Sequence, residues 1–381
     1  ILLDRMSTAF ASERRQYSAR AAWAMVAVSI LIALGQARWL PAPNDYALFK
    51  GVVAVLDDNL GAFISTNSMA LDAVKNGAMF YVLLPLRIGL AQTVLPFTWG
   101  FQWTPAMSLA VFAAAGLSAL ALAYANRPAI GLCVLIAAGI IVTGITNLPW
   151  PFVFAGFGAL GWVAGGWRLA LYAVAMLLPV AVMGLWVPAL MSLYLCGAAV
   201  LTCVVLGGAI GVVCAISERC WRVVHPVCDL LQTIPLFVFL IPVLMFFQIG
   251  EFSAFLAICA YAIVPMIRYT RHGLVSTPDE LVEAAVSSGA TGWQLLREVR
   301  APYSAPTILL GLNQTILYAF SMLVIAALVG TTDLGQQIYL ALGQGDVGLG
   351  VAAGASMALL ALVSDRLVQA FAEKQRRALG L

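Results

Sequence analysis

Between Leu190 and Ile216 the chain carries no charged residue and no alternation of apolar with polar positions. At the helical rise of about 1.5 Å per residue such a run crosses the roughly 30 Å hydrocarbon layer of a bilayer. Backbone N–H and C=O groups in hydrocarbon must be satisfied within the segment, so a long unalternating run of this kind is a helix. Comparable runs recur at 21–40, 105–125, 128–146, 149–166, 168–187, 229–249, 251–270, 304–329 and 348–370. With 190–216 they predict an all-α, polytopic integral membrane protein of about ten transmembrane helices. Composition agrees: 62% of the 381 residues are hydrophobic and 10% charged, where soluble chains carry roughly 45–50% and about 25%. A formal charge of only +3 argues against nucleic acid as a partner, because phosphate neutralisation needs a basic surface.

The seven cysteines form no CxxC pair and no Cys/His cluster, so they read as small apolar residues and no metal site is predicted. Residues 1–20 form a polar tail with Arg5, Arg14, Arg15 and Arg20, and the run that follows reads as an anchor, with no small-residue cleavage site behind it. Cytoplasmic loops are enriched in Lys and Arg. With the N-terminus inside, all basic residues except Arg38, Lys50, Lys75 and Arg87 fall on that side, so both termini are predicted to be cytoplasmic. Residues 77–97 are apolar but hold Pro85 and Arg87 near their middle. An Arg at mid-bilayer costs about 2.5–3.5 kcal/mol, so this segment is predicted to be an interfacial helix on the outer surface. Arg168 follows Gly165-Gly166, which marks a tight hairpin between two spans. His225 and His272, at cytoplasmic span ends, read as residues meeting water or carbonyls, and Trp150, Trp162, Trp167 and Trp186 as interface anchors. Gly207-Gly208 and Gly350-x3-Gly354 read as sites of close helix packing or of permease dimerisation.

From Val275 to Pro306 the chain turns polar. Thr277-Pro278-Asp279-Glu280 reads as a helix start with Thr277 as N-cap, Gly289 as a stop or bend, and Thr291-Gly292-Trp293-Gln294 as a second capping box. Pro302 is expected to end the second helix before the next span. Two short helices joined at Gly289 follow. Ala284 and Ala285 permit close approach of a partner, Glu283 can accept its hydrogen bonds, and Trp293, Leu296 and Val299 form an apolar stripe.

The spacing Glu283-Ala284-Ala285, three residues, Gly289, nine residues, Val299, one residue, Ala301-Pro302 resembles the EAA loop of binding-protein-dependent ABC importers, EAA-x3-G-x9-I-x-L-P. Val299 replaces Ile and Ala301 replaces Leu. Further similarity to the permease subunit of glycine betaine/proline (ProU-type) importers, with the trimethylamine N-oxide and choline branch fitting equally, lies in seven stretches. These are Gln232 to Pro242, Ala262 to Arg268, Gly311 to Thr315, Ser321 to Ala326, Asp333 to Gln336, Asp346 to Gly350 and Asp365 to Leu367. The resemblance covers about 188–370. It implies a type I importer permease core at 188–381 with coupling helices at 278–302, behind an accessory transmembrane region at 21–187. It further implies that Glu283, Ala284, Ala285, Gly289, Trp293 and Pro302 couple to a cytosolic ATPase. The assembly implied is a permease homodimer, two ABC ATPase subunits carrying ATP and magnesium, and an extracytoplasmic binding protein, in a bacterial inner membrane. Glycine betaine, proline, choline or trimethylamine N-oxide would be the cargo.

No lysine stands in a GxxxxGK[ST] loop, so this chain is expected to be no enzyme, with no catalytic residue and no cofactor of its own. Polar residues within apolar spans, Gln232, Thr233, Asn313, Gln314, Tyr318 and Ser321, are candidates for the translocation path, against the alternative that they serve as interhelical glue. Asn313 or Gln314 partly aligns with Tyr318 and Ser321 on one helix face. An ion-coupled secondary transporter for a small zwitterion is the rival reading; it would show repeats and intramembrane carboxylates, and neither is evident. A membrane-embedded enzyme lacks a constellation of catalytic side chains.

Overall fold

The computed structural model describes residues 19–39, 48–94, 99–125 and 127–380; the tail with Arg5, Arg14 and Arg15 lies outside them. The chain divides into two units, residues 1–70 and 71–381. In the first, α1 (Ala19–Trp39) is followed by most of α2 (Leu48–Ala78), which crosses the division.

Among its described residues the second unit consists of helices joined by short turns, with no strand. After α2, residues 79–94 do not form the single helix expected of this stretch. A π-turn (Met79–Leu83) leads into α3 (Leu84–Ile88) and α4 (Leu90–Thr93), broken at Gly89 with φ of 80°. Leu83 is fully buried in the main core, and α3 and α4 pack against α6 (Pro128–Thr143). Next come hairpins of α5 (Pro105–Tyr124) with α6, and of α7 (Trp150–Gly165) with α8 (Trp167–Val182). The second hairpin turns at Gly166, φ of 80°, as the Gly-Gly-x-Arg168 pattern predicts.

A single helix, α9 (Trp186–Ile216), carries a π-turn at Cys203–Gly207. α10 (Glu218–Thr233) and α11 (Leu240–Phe247, entered through a 3-10 turn at Leu236–Phe239) meet at 114°. The expected span 229–249 is therefore not one helix. Pro235 donates no backbone hydrogen bond and drives Ile234 into an extended conformation, φ −69° and ψ 131°. α12 (Glu251–Val275), α13 (Asp279–Ser287), α14 (Gly292–Val329), α15 (Leu334–Gln344) and α16 (Val347–Ala378) complete the chain. Among the described residues 5 helices are long and apolar enough to cross a membrane, or up to 6 with the bent pair counted, beside four shorter apolar helices. Together these correspond one to one with the ten apolar runs.

α12 lies at the centre, packed against α9 and α14. The contacts are close because glycine stands where they touch: a Cβ on Gly211 would lie 2.7 Å from Thr270 Cβ, and one on Gly311 2.6 Å from Tyr269 Cβ. Gly207 also packs closely, against Ile263, whereas Gly354 meets nothing within 4 Å.

At the end where α12 begins, Arg87 pairs with Glu251, and Thr146 Oγ1 donates to the Arg87 carbonyl at 2.8 Å. Buried Asp333 caps α15, its Oδ1 accepting from Gln336 N at 3.1 Å. Burial raises its carboxyl to about 6, against smaller lowering by the cap's hydrogen bonds. At the other end, Arg268 pairs with Asp229, and Arg271 lies 2.8 Å from Glu218 and 4.2 Å from the Trp221 ring centre, fixing α10 to α12. His225 is exposed, as expected of a residue that meets water, and its Nδ1 also lies 3.1 Å from Asp229 Oδ2.

Candidate coupling segment and translocation path

The polar stretch leaves α12 and enters α13 one residue later than the sequence predicts. Pro278 occupies the N-cap position, extended and without a side-chain cap. Thr277 is buried and its Oγ1 donates to Leu274 O at 3.2 Å, so it serves the end of α12 and is not the cap of α13. The expected first capping box is absent for that reason, while Asp279 and Glu280 still place carboxylates in the first turn, where the helix dipole favours them.

α13 ends in a Schellman motif. Gly289 adopts φ of 82°, its N–H donates to Val286 O at 2.9 Å, and Ala290 N donates to Ala285 O at 3.1 Å. Two residues later the second capping box forms as predicted: Thr291 N donates to Gln294 Oε1 at 2.8 Å, and Gln294 N donates to Thr291 Oγ1 at 3.4 Å. A non-glycine residue at 289 would be strained, so the bend is fixed by one position.

Pro302 does not end the second helix. α14 runs unbroken from Gly292 to Val329, with a π-turn over Leu295–Arg300 immediately before the proline. Proline clashes with the carbonyl four residues back and offers no N–H; wider i→i+5 bonding in the preceding turn accommodates both. The π-turn also interrupts the 3.6-residue period of the Trp293, Leu296, Val299 stripe. Leu296 and Val299 are half-buried, whereas Trp293 is 67% exposed.

Glu283 and Ala284 are exposed and Ala285 is half-buried. No residue from 279 to 287 or from 292 to 300 is buried, and Leu281 and Val286 join Trp293 in presenting apolar surface. A rigid, capped bend thus carries an acid, two small residues and an apolar rim, joined without interruption to one of the longest helices.

Gln232 and Thr233 stand at the 114° elbow, Gln232 half-buried and Thr233 exposed. Broken backbone at membrane depth is tolerated where it is buried in protein or lines a cavity. On α14 the four polar residues divide. Asn313 is buried and its Nδ2 donates to Asp365 Oδ1 on α16 at 2.7 Å, which also accepts from Gln369 Nε2 at 2.8 Å. Gln314, Tyr318 and Ser321 share another face. There Tyr318 stacks on Tyr261 of α12, centroids 4.9 Å apart and planes 15° apart, and Ser321 is exposed. Tyr261 escaped the sequence reading, and Asp365 entered it only within the Asp365 to Leu367 similarity, with no role of its own. The role of each becomes visible only through a partner about fifty residues away. Among the described residues no group of His, Cys, Asp and Glu could hold a metal ion.

Residues 207–377 match the family described as binding-protein-dependent transport system inner membrane component. The chain is 34% identical over 232 residues to the glycine betaine/proline betaine transport system permease protein ProW of Escherichia coli (strain K12), covering 61% of this chain and 66% of that one. It is 37% identical over 236 residues to the glycine betaine transport system permease protein OpuAB of Bacillus subtilis (strain 168), covering 62% of this chain and 84% of that one. It is 40% identical over 219 residues to the trimethylamine N-oxide transport system permease protein TmoV of Ruegeria pomeroyi, 58% of this chain and only 33% of the relative. With the matched segment falling on the helices that flank the capped bend, the chain belongs to the inner-membrane permease family of binding-protein-dependent ABC importers.

Proposed function

We propose that this chain is the membrane subunit of an ATP-driven importer for a compatible solute or quaternary amine, the class to which glycine betaine, proline, choline and trimethylamine N-oxide belong. The names of the relatives favour that cargo. Two copies of the chain pair in the inner membrane with both termini cytoplasmic, two cytosolic ATPases bind ATP and magnesium, and a binding protein delivers cargo from outside. Closure of the ATPases pushes on Glu283, Ala284, Ala285 and Trp293. Gly289 holds the bend, and helix continuity through Pro302 carries the displacement into α14, which rocks with α12 between outward and inward openings. Gln232, Thr233, Gln314, Tyr318 and Ser321 line the route the cargo takes, with Asn313 setting the α14–α16 contact beside it.

The observation that carries this reading is the unbroken helix from the capping box at Thr291 to Val329. A bend that merely decorated the surface would need no such rigid connection. The test is ATP-dependent uptake of labelled glycine betaine into vesicles holding this chain, its ATPase and its binding protein, with Glu283→Arg as the variant. Uptake is expected to be lost while the variant stays folded. Retained uptake rejects the coupling role.

A further inference from the structure

A cleft of about 700 Å³ opens where α7 turns into α8, beside the middle of α14 and the end of α16. Arg168, Arg366 and Arg376 line it, together with the apolar surface of Leu169, Tyr172 and Leu310. Among the described residues none of the three arginines is in an ion pair, and the acid beside them, Glu373, is engaged by Arg377 at 3.0 Å. Three guanidinium groups therefore share one cleft with a single carboxylate, Glu373, which is already paired with Arg377. Trp162 and Trp167, both exposed, flank the same turn, and the Arg168 guanidinium lies 5.7 Å from the Trp167 ring centre. Exposed tryptophans at span ends sit at headgroup level. Lys374 Nζ donates to Val163 O at 2.9 Å and so ties the end of α16 to the end of α7, closing one side.

We infer that this cleft is a binding site for an anionic phospholipid, its phosphate held by Arg168, Arg366 and Arg376 and its first acyl carbons laid on the Leu169–Tyr172–Leu310 surface. Guanidinium matches phosphate oxygens by paired donors, and basic pockets between spans at the cytoplasmic surface attract anionic headgroups. A soluble phosphate would use the arginines but leave the apolar surface uncovered at a depth where acyl chains are the local solvent. Its residues are none of those assigned to coupling or to the cargo route, and its readout is lipid retention, which does not depend on transport.

The experiment is native mass spectrometry of the full chain in detergent with added phosphatidylglycerol or phosphatidylcholine. Wild type is expected to retain phosphatidylglycerol in preference, each arginine contributing about fivefold. R168Q/R366Q/R376Q should fall to the phosphatidylcholine level, and R219Q/R222Q, which removes two exposed arginines of α10, should not. Equal retention of the two lipids by wild type, or undiminished preference in the triple variant, overturns the site. Complete displacement of phosphatidylglycerol by excess inorganic phosphate overturns the lipid in favour of a soluble anion. Should the triple variant not fold, R168Q and R366Q are measured singly; each should lose about fivefold, and no loss in either overturns the proposal.

Discussion

α12 and the bend at 279–300 touch each other, yet opposite means hold them. In α12, 67% of the apolar window is buried, and glycines on its neighbours bring backbones into contact with it. The bend has no buried residue from 279 to 287 or from 292 to 300; a Schellman motif and a capping box satisfy its backbone locally. One element owes its shape to its neighbours and the other to itself. A part that must meet a partner has to keep its apolar side chains free, so it cannot spend them on an internal core. Leu281, Val286 and Trp293 are exposed, which is what the proposed docking to an ATPase requires.

The strongest way to break the comparison is to overfill the centre. Gly311→Val places side-chain carbons where Tyr269 Cβ already stands, 2.6 Å from the position of a Cβ, and should lower stability by about 3 kcal/mol. Thermal unfolding in detergent measures this. Val286→Ala and Trp293→Ala in the bend should stay within about 0.5 kcal/mol of wild type while impairing ATP-dependent uptake. If both kinds of change destabilise alike, the division is wrong.

Asp333 gives a smaller effect that sharpens the same contrast, since only the packed part of the molecule shifts a carboxyl by burial. Its acid group titrates near 6 where the ordinary value is 3.8. The folded state then binds the proton more tightly than the unfolded chain. Stability from this group is greatest below about pH 4 and is lost as pH rises through 6. Asp333→Asn keeps an N-cap residue but removes the titration. The stability difference between wild type and variant should therefore change across pH 4–7 and level off above. A difference that is constant over that window contradicts the burial argument.

Much of this architecture was legible because hydrocarbon imposes its own length on each helix, and each of the ten apolar runs has a helix or a bent pair to match. What escaped did so for physical reasons. Apolarity in a membrane protein records contact with lipid as readily as burial: only 6% of the apolar window of α5 is buried, though it is more apolar than that of α12. α2 went unseen because Asp57, Asp58 and Asp72 interrupt its hydropathy. The run 229–249 read as one span because hydropathy continues across Pro235 while the backbone turns through 114°. Pro302 read as a stop because a π-turn that makes room for it leaves no sequence signal. At the site, Gly289 and the Thr291–Gln294 box were legible since both are local chemistry. The pairings Tyr261–Tyr318 and Asn313–Asp365 depend on the fold.

The finest test separates local from tertiary support within the bend itself. Thr291→Ala deletes the hydroxyl that accepts from Gln294 N, leaving that donor to water, at a cost of about 1 kcal/mol. Because no core contact is lost, global unfolding should move little. The loss should appear instead as faster amide exchange confined to the first turn of α14, near residues 292–295, since local openings draw on local free energy. Thr291→Ser, which retains the oxygen, should restore protection. Uptake should decline in proportion to fraying, because a frayed first turn absorbs displacement that the intact helix would pass on. Faster exchange spreading along α14 as far as Asn313 would mean that the bend and the bundle melt as one unit, and the contrast with α12 would then describe packing alone and not stability.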